Sequence, residues 1–160
     1  MNETPQKKLT SNVHGVLATS YTVYLAGFVV GVLVDQLFPA SLLMKGAHMW
    51  GAFILFLGTA IIVWAQMTSK RTAHARNHPD TKHDVAHFHQ GPYKIFRSPT
   101  HVGLALLLIS YGFLSDSLPI TLIAIAVFII TRITFVMKQE KMLEEKYGDT
   151  YKAYKKKVRI

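Results

Sequence analysis

The sequence predicts an all-α integral membrane protein. The expected architecture is a helical bundle of about four transmembrane helices, with a loop and an amphipathic C-terminal helix on one face. Three observations predict it. Half of the 160 residues are hydrophobic and the mean hydropathy is +0.23. Those apolar residues gather into long blocks instead of recurring at the short periods of a soluble domain. The basic residues lie between the blocks, almost all on one side of them. No flexible linker separates the blocks, so a single domain is expected over residues 1–160.

The net charge of +9 raises the possibility of nucleic acid, but its placement at the ends of apolar blocks points to anionic lipid headgroups instead. The expected partners are therefore the lipid bilayer and a lipid-like or prenylated small substrate, with no nucleic acid. The chain contains no cysteine. This excludes disulfides, zinc–cysteine sites and thiol nucleophiles.

A polar stretch over residues 1–8 leads into a first span at about 16–38. That span is too long for a signal-peptide core and no small-residue cleavage site follows it, so a retained helix is expected. Gly27 and Gly31 make a small-xxx-small step that admits another helix closely, either within the chain or in an oligomer. Pro39 ends the span. The second span, about 47–67, carries Trp50 and Trp64 near its two ends, where indoles prefer the headgroup boundary. A polar segment over residues 68–96 follows, rich in His, Lys and Arg.

The third apolar stretch, residues 102–114, is short. Its length covers only about 20 Å, against a hydrocarbon core of roughly 30 Å. To span, the helix must start near Ser98, drawing Thr100 and His101 to the membrane boundary. Ser98 as N-cap and Pro99 at the first helical position suit that start. The third span is placed at about 98–115. Ser115, Asp116 and Ser117 form a tight turn, and Pro119 opens a fourth span at about 118–137 that continues into the tail. There Leu143, Tyr147, Tyr151, Tyr154 and Val158 recur at helical spacing between lysines, an amphipathic stripe that Gly148 breaks or kinks.

Charge orients the chain. Lys7 and Lys8 precede the first span; Lys70, Arg71, Arg76, Lys82, Lys94 and Arg97 lie between the second and third; the tail adds many more. The opposite connections hold only Lys45 and Asp116. The positive-inside bias puts both termini in the cytosol. The membrane is expected to be a bacterial or archaeal inner membrane or the endoplasmic reticulum.

Chemistry-bearing residues concentrate at the junction Gly91-Pro92-Tyr93-Lys94-Ile95-Phe96-Arg97-Ser98-Pro99-Thr100-His101-Val102-Gly103. A second group lies in the tail, at Gln139-Glu140-Lys141-Met142-Leu143, Tyr147-Gly148, Tyr151, Tyr154 and Val158-Arg159. In order and spacing this half of the chain resembles the integral membrane methyltransferases typified by isoprenylcysteine carboxyl methyltransferase and the phospholipid N-methyltransferases. Their pattern is Gly-Pro-Tyr, then Arg-His-Pro-x-Tyr-x-Gly, a helical hairpin, Glu-Glu-x-x-Leu and Phe-Gly-x-x-Tyr-x-x-Tyr. The resemblance covers about residues 90–159, within a catalytic half placed at 85–159. It departs at Ser98, His101 and Gln139, which replace His, Tyr and Glu, although each keeps hydrogen-bonding capacity.

The resemblance implies an S-adenosylmethionine-dependent methyltransferase, with S-adenosyl-L-methionine bound by Val85, Ala86, His87, Phe88, Tyr93, Ser98, Pro99, Thr100, His101, Gln139 and Glu140. The acceptor would be lipid-like, of the isoprenylcysteine carboxylate or phospholipid amine type. The residues agree with this: a helix start at Ser98-Pro99 presents free N–H groups to an anion such as the methionine carboxylate, and Glu140 answers a cationic centre. His101 is positioned as a base for an amine acceptor. Arg132, inside the fourth span, either snorkels to the headgroups or lines a substrate portal. His74, His78, His83, His87 and His89 raise a metal reading, but Pro79 interrupts the helix that would align the first two, so no metal is expected. The alternatives are an NADPH-dependent reductase of the sterol-reductase type, against which Leu104 after Gly103 argues, and a non-catalytic membrane protein.

Overall fold

A computed structural model describes the backbone of residues 5–75 and 91–158. Helix α1 is Pro5–Leu37 and α2 is Ala47–Ala75. A 3₁₀ turn over Gly91–Lys94 leads into α3, Pro99–Leu114. Next come α4, Leu118–Thr131, a π-helical turn over Arg132–Val136, α5, Met137–Tyr147, and α6, Asp149–Lys157. Among the described residues, three stretches are long and apolar enough to cross a membrane: Thr19–Leu37, Ala47–Ser69 and Leu118–Glu145. The last passes through α4, the π turn and α5 as one continuous rod. Helix α3 is apolar but has 16 residues, about 24 Å of rise.

Two helices run further than the expected spans. Helix α1 begins at Pro5, ahead of the expected start at about residue 16. Helix α2 runs on to Ala75, past the expected end at Met67. Residues 68–75 contain neither Gly nor Pro, so nothing stops the backbone from propagating, and Thr68 donates its hydroxyl to the Trp64 carbonyl at 2.9 Å.

The helices pack in the order α1–α4–α3–α2. Successive helices α1 and α2 therefore lean on different neighbours instead of on each other. Tyr24, Ala105, Leu108, Ala124 and Val127 form the buried core where α1, α3 and α4 meet. Many large apolar side chains stay exposed, among them Leu33, Phe56, Leu122 and Ile133. In water this surface would drive aggregation; in hydrocarbon it is solvated.

Close approach rests on small residues, because lipid tails leave no hydrophobic driving force between helices. The Gly27–Gly31 step is occupied within the chain by α4: a Cβ on Gly27 would lie 2.5 Å from Val127 Cγ2. Between α2 and α3, a Cβ on Gly58 would meet Leu106 Cβ at 3.0 Å and the Gly103 carbonyl at 3.1 Å.

At the end of the bundle away from Ser98, polar contacts tie the connections together. Ser117 caps α4 by accepting from the Ile120 N–H at 3.2 Å and donates to the Asp35 carboxylate at 2.5 Å. Leu118 N–H donates to the Ala40 carbonyl at 2.8 Å. Replacing Gly58 by Leu is expected to wedge α2 off α3 at a cost of about 1–3 kcal/mol. A lowered melting temperature in detergent would register it, and an unchanged one would refute the close approach.

Candidate active site

The site grows from the start of α3. Pro99 supplies a helical φ and lacks the N–H that the first turn cannot use, so the helix begins at once after Ser98. Ser98 occupies the N-cap position, as expected, but its side chain makes no capping bond. Two residues into the helix, His101 is 4% exposed, and its Nδ1 is buried without a hydrogen-bond partner among the described residues. The Tyr24 hydroxyl donates to the His101 carbonyl at 3.3 Å and accepts from Thr131 at 3.1 Å. Helices α1 and α4 thus hold this first turn in place.

A cavity of about 310 Å³ opens beside it, lined by Tyr93, Arg97, Ser98, Pro99, Thr100, His101 and Gln139, with Tyr21 from α1 and Ala65, Gln66 and Ser69 from α2. Gln139 arrives through the π turn, whose closing bond runs from Met137 N–H to the Arg132 carbonyl, five residues back. The extra residue in that turn re-aims α5 relative to α4, a use that π bulges commonly have near functional sites. The Gln139 Oε1 is likewise buried and unpartnered among the described residues. Tyr93 is fixed by a 3.1 Å contact between its hydroxyl and that of Ser69, and by Tyr154, which donates to its carbonyl at 2.6 Å.

Of the residues expected from the sequence, Tyr93, Ser98, Pro99, Thr100, His101 and Gln139 come together on this cavity. Glu140 does not line it. The Glu140 carboxylate instead accepts from Arg97 at 3.1 and 3.3 Å and pairs with Lys155 at 3.1 Å. One residue on from Gln139, it points about 100° further round α5, and two cations claim it there. Arg132 opens the π turn, half-buried, and lines neither cavity of this region. Thr131 beside it takes the inward position. Val85, Ala86, His87 and Phe88, and with them His78, His83 and His89, lie outside the described residues, as does the His74 side chain.

Arg97 is the residue whose weight the sequence did not reveal. Its guanidinium donates to the Val158 carbonyl at 2.5 Å, to the Lys155 carbonyl at 3.1 Å and to both oxygens of Glu140. The expected stripe in the tail packs here: Tyr151, Tyr154 and Val158 are buried together with Leu143 against them. Gly148, at φ +57°, supplies the break between α5 and α6. Burial pushes the Tyr154 hydroxyl from its ordinary 10.0 to about 12 and raises Tyr151 as well, the Glu140 charge adding to the latter. Hydrogen bonds to Glu144 and Glu140 raise Lys155.

Tyr21, Gln66 and Ser69 were also missed. Gln66 and Ser69 had a signal: polar residues three apart near the end of an apolar span mark a face turned away from lipid. Tyr21 had none. It borders a second cavity too, an apolar groove of about 490 Å³ running along α3 between α1 and α2.

The fold and site define a lipid-solvated helical bundle with a cavity at one end, bordered by several polar side chains, and an apolar groove nearby that shares Tyr21 with it. The family model described as phospholipid methyltransferase matches residues 47–150. The chain belongs to that family of membrane methyltransferases. No curated protein and no solved structure gives a significant match.

Two outcomes follow from the Arg97 cluster. Arg97→Ala leaves Glu140 buried beside a single lysine and strips two carbonyls of their donor, at an expected cost of about 3 kcal/mol; hydrogen exchange of α6 should rise accordingly, and unchanged protection would contradict the assignment. The alkaline limit has a definite sign. Tyr151, Tyr154 and Lys155 all hold their protons more tightly folded than unfolded, so their contribution is complete below about pH 10 and is lost as the pH rises through the folded values. Tyrosine absorbance and α6 exchange should change together between about pH 10 and 12. Loosening of α6 that sets in below that window would point to other groups.

Proposed function

We propose that this protein transfers a methyl group from S-adenosylmethionine to a membrane-partitioned acceptor of the isoprenylcysteine carboxylate or phospholipid amine type, at the cytosolic boundary of the membrane. The observation that carries the reading is a pair of buried polar atoms without a partner among the described residues, His101 Nδ1 and Gln139 Oε1, in residues that line one cavity. Buried polar groups are almost always satisfied. Two such atoms, enclosed in residues that line one cavity, point to a place where a polar ligand would complete the hydrogen bonding once the side chains turn toward it.

The residues present fit S-adenosylmethionine. The N-terminal N–H groups of α3 and the Ser98 hydroxyl, which makes no capping bond, suit its carboxylate. The Gln139 amide oxygen suits its ammonium. Tyr93 and Tyr21 offer rings for the adenine. Bound there, the cofactor would supply a methyl group activated by sulfonium charge. The chain's part is placement: catalysis of this displacement comes mainly from holding acceptor and methyl in line in a closed site.

A carboxylate acceptor arrives ionised and needs no base. An amine acceptor must lose its proton, and His101 Nδ1, held by the first turn of α3, is the group placed to take it. The basic residues clustered at this end, with Lys45 and Asp116 at the other, support a cytosolic chamber and cytosolic termini.

Radiolabelled methyl transfer onto extracted lipids and prenylated peptides, alongside titration with S-adenosylmethionine and NADPH, tests the reading. Binding of NADPH alone would replace it with a reductase. His101→Ala is expected to lower turnover of an amine acceptor by about a hundredfold, the lower range for a lost general base, while S-adenosylmethionine still binds. Undiminished turnover would remove His101 from the mechanism.

A further inference from the structure

Helix α6 carries charge that neither the cavity nor the Arg97 cluster uses. Its inner stripe, Tyr151, Tyr154 and Val158, is buried, while Lys156 and Lys157 of its last turn are exposed. Lys155 beside them is already taken, at 3.1 Å from Glu140 and 3.0 Å from Glu144. Lys94 is exposed as well, next to Tyr93, whose carbonyl accepts from Tyr154. The remaining acidic residues of the α5–α6 hairpin, Glu145 and Asp149, lie at its far end, on either side of Gly148, and Asp149 is 3.4 Å from Lys152.

Depth decides what the exposed lysines meet. On the rod of α4 and α5, Ile133 and Met137 are exposed and apolar, whereas Lys138 and Lys141 are exposed and charged. The hydrocarbon therefore ends near Met137. Glu140, three residues further on, stands about 4.5 Å beyond it. Gly148 turns the chain, and the bonds from Lys155 back to Glu144 and Glu140 bring α6 down beside α5. Lys156 and Lys157 follow at the same level. A bilayer of about 40–45 Å around a core of about 30 Å leaves each headgroup layer about 5–8 Å thick. The last turn of α6 thus stands among lipid phosphates.

The same turn is bonded to the site. Arg97 donates to the Lys155 and Val158 carbonyls, and Lys156 and Lys157 are the two residues between them. Whatever pins these lysines pins the carbonyls that hold Arg97. Arg97 in turn lines the cavity, two residues before the first residue of α3.

We propose that Lys94, Lys156 and Lys157 form a docking surface for the phosphates of anionic phospholipids, and that this contact clasps α6 against Arg97. Membrane charge then sets how firmly the Arg97 wall of the cavity is held. In a neutral membrane the lysines gain little, because each headgroup phosphate is answered by its own ammonium. Helix α6 then rests on its buried stripe and the Arg97 cluster alone. In an anionic membrane it is held from both sides. The clasp goes beyond the methyl-transfer reading and does not depend on it.

The test compares the full chain in nanodiscs of phosphatidylcholine and in nanodiscs that also contain phosphatidylglycerol, by hydrogen exchange of α6 and of the first turn of α3. Each lysine near an anionic surface is worth about fivefold, equivalent to about 1 kcal/mol. Exchange of α6 should therefore slow about 25-fold in the anionic discs, and that of the first turn of α3 should slow with it. The double variant Lys156→Gln, Lys157→Gln should lose this gain. Its exchange in phosphatidylcholine should match that of the unaltered chain, which checks that it folds. Inorganic phosphate added to phosphatidylcholine discs should not reproduce the effect.

Exchange indifferent to phosphatidylglycerol, an equal response in the double variant, full protection by inorganic phosphate, or slowing that stops short of α3 would each overturn the clasp. Titration of the same samples with S-adenosylmethionine keeps the two claims apart. Slowed exchange without binding leaves the clasp and removes the cofactor reading, whereas binding with exchange that ignores phosphatidylglycerol does the reverse.

Discussion

The Arg97 guanidinium is the interaction on which the chamber end of the molecule depends. It sits one residue before the cap of α3 and reaches the end of α6, the backbone at Lys155 and the Glu140 side chain on α5. Only arginine offers donors in a planar fork that can serve two carbonyls and a carboxylate at once. Lys155 and Glu144 extend the pair into a small network, so the Glu140 charge is answered twice. Nearly buried ions of this kind are costly when alone and are retained where they fix geometry. Here they fix the angle between the start of α3 and the start of α5, which is the width of the chamber.

The rest of the architecture serves that angle. Glycine contacts bring α2 against α3 and α4 against α1. The Tyr24 hydroxyl joins Thr131 of α4 to the carbonyl of His101. The first turn of α3 is therefore held on three sides by helices whose outer faces are solvated by lipid. It can leave His101 Nδ1 without a partner among the described residues because its neighbours, not its own bonds, keep it in place.

Much of this could be read from the residues. Apolar blocks and charge placement sufficed for the helices, because in lipid the backbone has no alternative to internal hydrogen bonding. The shortness of the third block put Ser98 and His101 at the boundary, where the chamber now lies. The sequence failed where a choice depended on angle. Gln139 and Glu140 are adjacent, and which one faces the chamber turns on a π turn that no periodicity announces. Arg97 looked like one more positive charge among many, since its worth comes from carbonyls some sixty residues away. Tyr21 was lost in a span whose composition is generic, and only the packing order α1–α4–α3–α2 brings it beside the site.

The length of α3 has a consequence for the lipid itself. A helix of about 24 Å standing in a hydrocarbon layer of roughly 30 Å leaves a mismatch of about 6 Å, and a bilayer meets such a mismatch by thinning locally at a cost of fractions of a kcal/mol per ångström. The longer helices on either side impose no such demand. The dimple should therefore form along the one face where the groove opens. The protein in effect bends its own solvent, lowering nearby headgroups toward the depth of His101 before any of them binds.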